Sequence, residues 1–329
     1  MHSLTRRLLR RSLAATLLGA ALPLCALAQT WPTKAVTIIV PFPAGGGPDL
    51  TARLIAEKLA TRIGQPVIVD NKPGAGALLG ASVVAKAAPD GHTLLLTPNT
   101  MVISPHVLAP GAGSGVDVHK DLVPVIAPAS TPMVLVANPQ LGASNLKAAL
   151  DAARKSPGIA YGSAGNGSPM HFAGEMLKKS AQVDLLHVPY RGVAPSITAA
   201  LGGEVKLLYV GLGGAVPHIK AGKLVPLAVT EKTRSSLLPS VPTATEQGVP
   251  NVEVNSWYGI FAPAGTPVAT IQRINQEVNL ILKMTDVHDK LMAAGIEVLG
   301  GTPQLLADFM KTDNQRYGSL AKELQIKAD

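Results

Sequence analysis

Cysteine is nearly absent from the chain: among 329 residues there is one, Cys25, so no disulfide can form within it. Aromatic residues are scarce at 3%, and charged residues reach only 15%. No cluster of lysine and arginine is interleaved with aromatics, so the footprint of a nucleic-acid-binding protein is missing. The motifs of common enzymes are missing too. There is no Gly-x-Ser-x-Gly elbow, no Walker lysine and no His-Glu-x-x-His pair. The eight histidines are scattered without ligand spacing, so no metal and no cofactor are expected. The apolar run 13–24 is too short to span a bilayer and is broken by Pro23.

That run reads instead as part of a leader. Arg6, Arg7, Arg10 and Arg11 precede it, and Ala26-Leu-Ala28 is a small-x-small cleavage site before Gln29. Residues 1–28 are therefore expected to be a cleaved signal peptide, which places the mature protein in the periplasm. Thr5-Arg-Arg-Leu-Leu-Arg10 partly resembles a twin-arginine signal, but Arg-Arg pairs are common in basic leaders. The general secretory (Sec) route is expected over the twin-arginine (Tat) route. A lipoprotein signal requires a small residue before its cysteine, and Leu24 stands there. Cleavage after Ala28 leaves no thiol. It also removes four arginines, so the formal charge of +8 falls to about +4, a mild balance that suits small anions.

Glycine (32) and proline (27) are abundant and 47% of residues are hydrophobic, which suits two domains built from many short elements. Strand patterns occur at 36–40, 66–69, 93–97 and 123–127, with helical patterns from Leu50 onward and at 77–87. After Thr131-Pro132 the alternation resumes, with strands at 133–137, 159–161, 184–188, 205–210 and 224–230. Helices at 144–155, 169–180, 195–202 and 214–221 intervene. A strand at 254–261 and two periodic helices, 267–284 and 303–325, close the chain. This order predicts an α/β fold of parallel, doubly wound sheets. Thr131-Pro132 and Asn255-Ser-Trp257 are the crossover points. Residues 29–131 and 257–329 are thus expected to form one discontinuous domain, and 132–256 the other.

The most informative stretch is Pro41-Phe-Pro-Ala-Gly-Gly-Gly-Pro-Asp49. It joins a β-branched strand to an amphipathic helix, which presents free backbone N–H groups and the positive end of a helix dipole. Its glycines let the backbone approach a small anion. Asp49 has two readings, as N-cap of the helix or as acceptor from a ligand hydroxyl or amino group. A second helix entrance, Tyr161-Gly-Ser-Ala-Gly-Asn-Gly-Ser-Pro-Met-His171, echoes the first. Ser168 is placed as N-cap before Pro169, and Ser163 and Asn166 add side-chain donors. The same pattern also describes an ordinary strand-to-helix turn. In His187-Val-Pro-Tyr-Arg-Gly-Val-Ala-Pro195, Arg191 either holds a carboxylate bidentately or pairs with Glu204 or Asp184. Asn99 and Thr100 close a strand on the rim where ligands sit in open α/β sheets. Gly74-Ala-Gly-Ala-Leu-Leu-Gly80 is a weak match to a dinucleotide loop, and an exported protein meets little NAD.

These residues together resemble the tripartite tricarboxylate transporter receptors, also called Bug-type periplasmic solute-binding proteins. The likeness is carried by Pro41-Phe-Pro-Ala-Gly-Gly with Asp49 and Arg53, by Val69-Asp-Asn-Lys-Pro-Gly-Ala-Gly76, and by Tyr161-Gly-Ser-Ala-Gly-Asn-Gly167. His187-Val-Pro-Tyr-Arg-Gly192, Pro217-His-Ile-Lys-Ala-Gly222, Val241-Pro-Thr243 and Ser256-Trp-Tyr-Gly-Ile-Phe-Ala-Pro263 continue it in order to the end. The resemblance implies a two-lobed, clam-like binding protein, each lobe a mostly parallel sheet flanked by helices. It implies capture of a small metabolite, a carboxylate, between the lobes and its delivery to the membrane permease subunits of a tripartite transporter, without catalysis. Carried over residue by residue, one lobe supplies Phe42, Gly45, Gly46 and Asp49, and the other Ser163, Asn166, Gly167 and Ser168. Asn99, Thr100, Tyr190, Arg191 and Trp257 complete the expected site. One departure stands out: Tyr209-Val210 replaces a Phe-Asp pair common in the family, which implies a more apolar or differently charged solute. Two other functions stay open, a ligand-sensing partner of a membrane signalling protein and an exported serine hydrolase using Ser163 or Ser168 with His171. A monomer is expected.

Overall fold

Strand β1 (Val36–Val40) is buried at four of its five positions, as a β-branched run covered on both faces should be. The structure, a computed structural model, describes residues 31–109, 111–112 and 115–327; the expected signal peptide lies outside them. From β1 the chain enters helix α1 (Gly47–Ile63), with Pro48 in its first turn and Gly64 closing it in the left-handed conformation. Then follow β2 (Val67–Asn71), α2 (Leu78–Ala85), β3 (Thr93–Pro98), the short α3 (Thr100–Ile103) and β4 (Leu122–Thr131). Only Pro132 separates β4 from β5 (Met133–Ala137).

The next run alternates α4 (Leu146–Lys155), β6 (Ile159–Ser163), α5 (Pro169–Ala181), β7 (Leu185–Pro189), α6 (Val193–Gly202), β8 (Leu207–Gly211), α7 (Leu212–Lys220) and β9 (Val225–Val229). The chain returns through β10 (Ser256–Pro263) to α8 (Val268–Leu282), α9 (Thr285–Ala293), β11 (Glu297–Val298) and α10 (Pro303–Glu323). No helix among the described residues is long and apolar enough to cross a membrane.

Two sheets result. The first has six strands in the order β11-β4-β10-β3-β1-β2, and the second five in the order β7-β6-β8-β5-β9. Both are mixed rather than mostly parallel. β1 is parallel to β2 and β3, but β10 runs antiparallel to β3 and β4. In the second sheet β6 is parallel to β7 and β8, while β5 is antiparallel to β8 and β9. The reversals fall on the strands that carry the chain between sheets. A single proline leaves no room for a crossover helix, so β5 enters its sheet against the direction of its neighbours.

Each sheet buries both faces. Met133, Leu135 and Tyr209 lie in one apolar cluster of the second sheet, and Val134, Val136 and Val210 in the other. Position 210 therefore lies in the core, against Ile197 and Leu212, and the departure at Tyr209-Val210 does not open onto a cleft. Helix α10 spans both units of packing. Its Leu306 and Met310 join Trp257 and Phe261, whereas Tyr317 and Ala321 pack with Phe172 of α5 and with Ile103 and Val107. Helix α9 was not foreseen, because only Val287 and Leu291 are buried along it and two anchors make no legible period.

Beside the crossover, the start of α7 meets the turn after α9 backbone to backbone. A methyl group added to Gly213 would lie 1.6 Å from Ala294 O, and one added to Gly295 would lie 2.4 Å from Gly213 N. Gly213→Ala should therefore lower stability by about 1–3 kcal/mol or more through overpacking against main chain that cannot rotate away. Thermal unfolding checks this; an unchanged Tm would show that the two segments separate freely.

Candidate functional site

The loop between β1 and α1 is shaped by one carboxylate. Asp49, at the third position of α1, accepts from the Gly45 N–H at 2.9 Å, from Arg53 Nε at 3.0 Å and from Asn71 Nδ2 at 2.9 Å. Asn71 Nδ2 also donates to Phe42 O at 3.0 Å, and Arg53 Nη2 donates to Asn71 Oδ1 at 3.0 Å. Burial pushes the Asp49 carboxyl up, but the hydrogen bonds from Arg53, Gly45 and Asn71 outweigh it and hold the group below its ordinary range. Asp49 is thus neither the N-cap, which is Gly46, nor open to a ligand, since both its oxygens are taken. No side chain caps Gly46, and among the described residues the N–H groups of Gly46, Gly47 and Asp49 meet no protein acceptor. Gly45 needs its left-handed φ of 87°. Gly46 is extended and does not.

The second loop links β6 to α5. Ser168 is its N-cap, accepting from the His171 N–H at 3.3 Å and donating to Gly165 O at 2.6 Å. Ser163 is fully buried; its Oγ meets His187 Nε2 at 2.7 Å and accepts from Gly165 N–H at 3.1 Å. Both serines therefore hold the loop in shape. Asn166 is half-buried and its side-chain amide has no protein partner among the described residues. Behind the loop, the rings of His171 and His187 stack at 3.8 Å and 8°. Burial, helped by the Lys178 charge, pushes His171 down to about 4; burial and His171 push His187 down to about 3. The serine that meets a histidine is Ser163 with His187, not with His171. Glu175 is engaged by Tyr161 Oη at 2.8 Å and by Lys178, and orients neither imidazole.

The third loop joins β7 to α6. Gly192 caps α6 without a side-chain acceptor, and the N–H groups of Val193 and Ala194 have no protein partner among the described residues. Tyr190 Oη lies 3.5 Å from Glu204, which with burial raises the phenol. Arg191 is exposed and forms no ion pair with Glu204 or Asp184 among the described residues, contrary to that alternative. A methyl group on Gly192 would lie 3.8 Å from Pro43 Cδ, so this helix start faces the first loop. Gly167, with φ of 72°, likewise abuts the first sheet's segment: a methyl there would lie 2.8 Å from Val107 and 3.1 Å from Ser104 Cα.

The structure thus brings Gly192 against Pro43 of the first loop, and Gly167 against Val107 and Ser104. It turns Asn99 and Trp257 away from that seam. Asn99 Nδ2 donates to Asn255 O at 3.2 Å and to Asp313 Oδ2 at 2.9 Å, and its Oδ1 accepts from Ser256 Oγ at 3.2 Å. Trp257 Nε1 donates to the same Asp313 oxygen at 2.8 Å. Every polar group of both residues is used, so each braces the crossover rather than a solute. Burial raises the Asp313 carboxyl, against the hydrogen bonds from Asn99 and Trp257. Thr100 is buried at the start of α3. No group of three metal-ligating side chains occurs among the described residues.

The neutral histidines make a pH test. Gly167 N–H donates to His171 Nδ1 at 3.3 Å, which requires a lone pair on that nitrogen. Below an ordinary pKa of 6.5 the unfolded chain takes up protons that the folded site refuses until about 4, so stability falls as pH drops through that window. His171 alone should account for roughly 3 kcal/mol at about 1.4 kcal/mol per unit. His171→Asn keeps an acceptor for Gly167 without titrating, and its Tm should fall less steeply between these pH values. Equal slopes would contradict a neutral His171.

Residues 51–326 match the model of the tripartite tricarboxylate transporter family receptor. The chain is 38% identical over 303 residues to the UPF0065 protein of the tcbD-tcbE intergenic region of Pseudomonas sp. (strain P51), covering 92% of this chain and 89% of that protein. An R. palustris protein solved with adipate superposes with a TM-score of 0.85 at 34% identity, covering 90% of this chain and 99% of that one. MatC from Rhodopseudomonas palustris, with bound malate, gives 0.81 at 31% identity, covering 88% and 99%. The architecture is the two-lobed one of periplasmic binding proteins. The chain belongs to the tripartite tricarboxylate transporter family of solute-binding receptors.

Proposed function

We propose that this receptor is exported to the periplasm by the Sec route, captures a small carboxylate between its lobes as a monomer, and delivers it to the membrane subunits of a tripartite transporter. One lobe is residues 29–131 and 257–329, the other 132–256. The observation that carries the reading is the pair of helix starts without side-chain caps, α1 at Gly46 and α6 at Gly192, whose preceding loops meet at Pro43 and Gly192, with the exposed Arg191, unpaired among the described residues, next to Gly192. Helix starts offer partial positive charge and free N–H donors, and a guanidinium matches a carboxylate with two parallel hydrogen bonds. Phe42, Gly45 and Gly46 act from one side, and Asn166, Gly167, Tyr190 and Arg191 from the other. Asp49, Ser163, Ser168, Asn99, Thr100 and Trp257 hold these groups in place.

Two related structures hold dicarboxylates, adipate and malate, which makes these the first solutes to titrate. Calorimetric titration of the mature protein should show binding of one or both. Arg191→Gln should weaken that binding about ten- to a hundredfold, the worth of a charge-assisted hydrogen bond. Its Tm without solute should not move, because Arg191 is exposed and forms no hydrogen bond or ion pair among the described residues. A variant that binds as the wild type does would take Arg191 out of the site. A protein that binds neutral solutes and ignores carboxylates would overturn the reading.

A further inference from the structure

Two buried hydroxyls among the described residues are left without a hydrogen-bond partner, Tyr317 Oη and Ser104 Oγ, and of these Ser104 lies against the Gly167 loop. Ser104, the residue that follows α3, is fully buried and its Oγ has no hydrogen-bond partner. Its main chain is already engaged: its N–H donates to Thr100 O, and its carbonyl accepts from Val107 at 3.1 Å and Leu108 at 3.0 Å. A hydroxyl in that position commonly turns back onto the carbonyl four residues earlier. This one does not. Leaving a buried hydroxyl unpaired is costly, and in a native protein such a group calls for a partner from outside the chain.

Two glycines stand around it, one from each sheet's loops. A methyl group on Gly76 would lie 2.1 Å from Ser104 Oγ, and one on Gly167 would lie 3.1 Å from it. Gly76 belongs to a turn, 74–77, in which four successive residues have positive φ: 142°, 46°, 56° and 77°. Two of the four are alanines, Ala75 and Ala77, for which that conformation is strained. The chain thus holds a strained turn on one side and a left-handed glycine on the other, both without side chains toward the same hydroxyl. Val107 and Leu108 make the remaining wall apolar.

We propose that Ser104 is a solute-binding residue whose hydroxyl donates to a carboxylate oxygen of the bound solute where the 74–77 turn and the Gly167 loop meet. This rests on the carboxylate reading given above and adds to it a contact at the seam between the lobes. The hydroxyl is enclosed by Gly76 from one sheet's turn and by Gly167 from the other sheet's loop, so its hydrogen bond to a solute engages both sides of the seam. An apolar wall beside one donor fits a carboxylate end followed by methylene groups.

Ser104→Ala separates this role from a packing one, using solute-stripped mature protein with adipate and malate as probes. Removing an unpaired hydroxyl should leave the Tm without solute unchanged or higher, while affinity for the dicarboxylate that the wild type binds falls about tenfold or more. Wild-type affinity in Ser104→Ala would overturn the proposal, as would a lowered Tm without solute, which would mean the hydroxyl has a partner within the chain. If the wild type binds neither probe, the carboxylate reading fails on its own. Ser104 is then decided by native mass spectrometry of both exported proteins: less co-purified solute on Ser104→Ala supports its role, and equal occupancy overturns it.

Discussion

The two strands that carry the chain between sheets are hydrogen-bonded to each other where they cross. Thr131, the last residue of β4, pairs with Ser256, the first of β10, and β5 begins after the single residue Pro132. Asp313 locks this point from α10, holding Asn99 at the end of β3 and Trp257 on β10 with a single oxygen. Gly213 and Gly295 pack main chain on main chain alongside. A neck so constrained has few soft torsions; across it the β7–α6 loop meets the β1–α1 loop at Gly192 and Pro43, and the β6–α5 loop meets Ser104 and Val107. Hinge motions in two-lobed proteins are absorbed at such short connections, while each sheet moves as a rigid unit.

The electrostatics of the seam follow from what the loops do with their side chains. Asp49 places a carboxylate three residues from the helix start, where it would repel an anion. Arg53, Asn71 and the Gly45 N–H absorb that charge, and in doing so set the course of the loop. On the opposite side the stacked imidazoles are neutral at physiological pH, so they shape the Gly167 loop without adding charge. On the proposed reading, attraction for an anion is left to backbone N–H groups and to Arg191. Such donors are set in place by the fold and need little reorganisation on binding.

Much of this was legible in the sequence, and the remainder for identifiable reasons was not. Local grammar predicts β1 with its glycine loop, the Ser168-Pro169 helix start and the break at Pro132, because each depends on residues a few positions apart. The roles of Asn99 and Trp257 depend on Asp313, 214 and 56 residues away, and no local pattern records that. Asp49 looked like a cap or a ligand acceptor because its partner Asn71 lies 22 residues on, across a strand pairing. The Tyr209-Val210 departure implies nothing about the solute, because a strand with both faces buried carries no signal of which side meets a cleft. Antiparallel β5 and β10 escaped the alternation rule, which assumes that a helix returns the chain.

The account turns on an anion held between backbone donors of the two lobes. A crystal structure of the exported protein with its co-purified solute tests this most directly. The account predicts a carboxylate within hydrogen-bond distance of the N–H groups at Gly46 and Gly47 or at Val193 and Ala194, with Arg191 turned onto it. A neutral solute, or one bound outside the seam between the Pro43 and Gly192 loops, would contradict it.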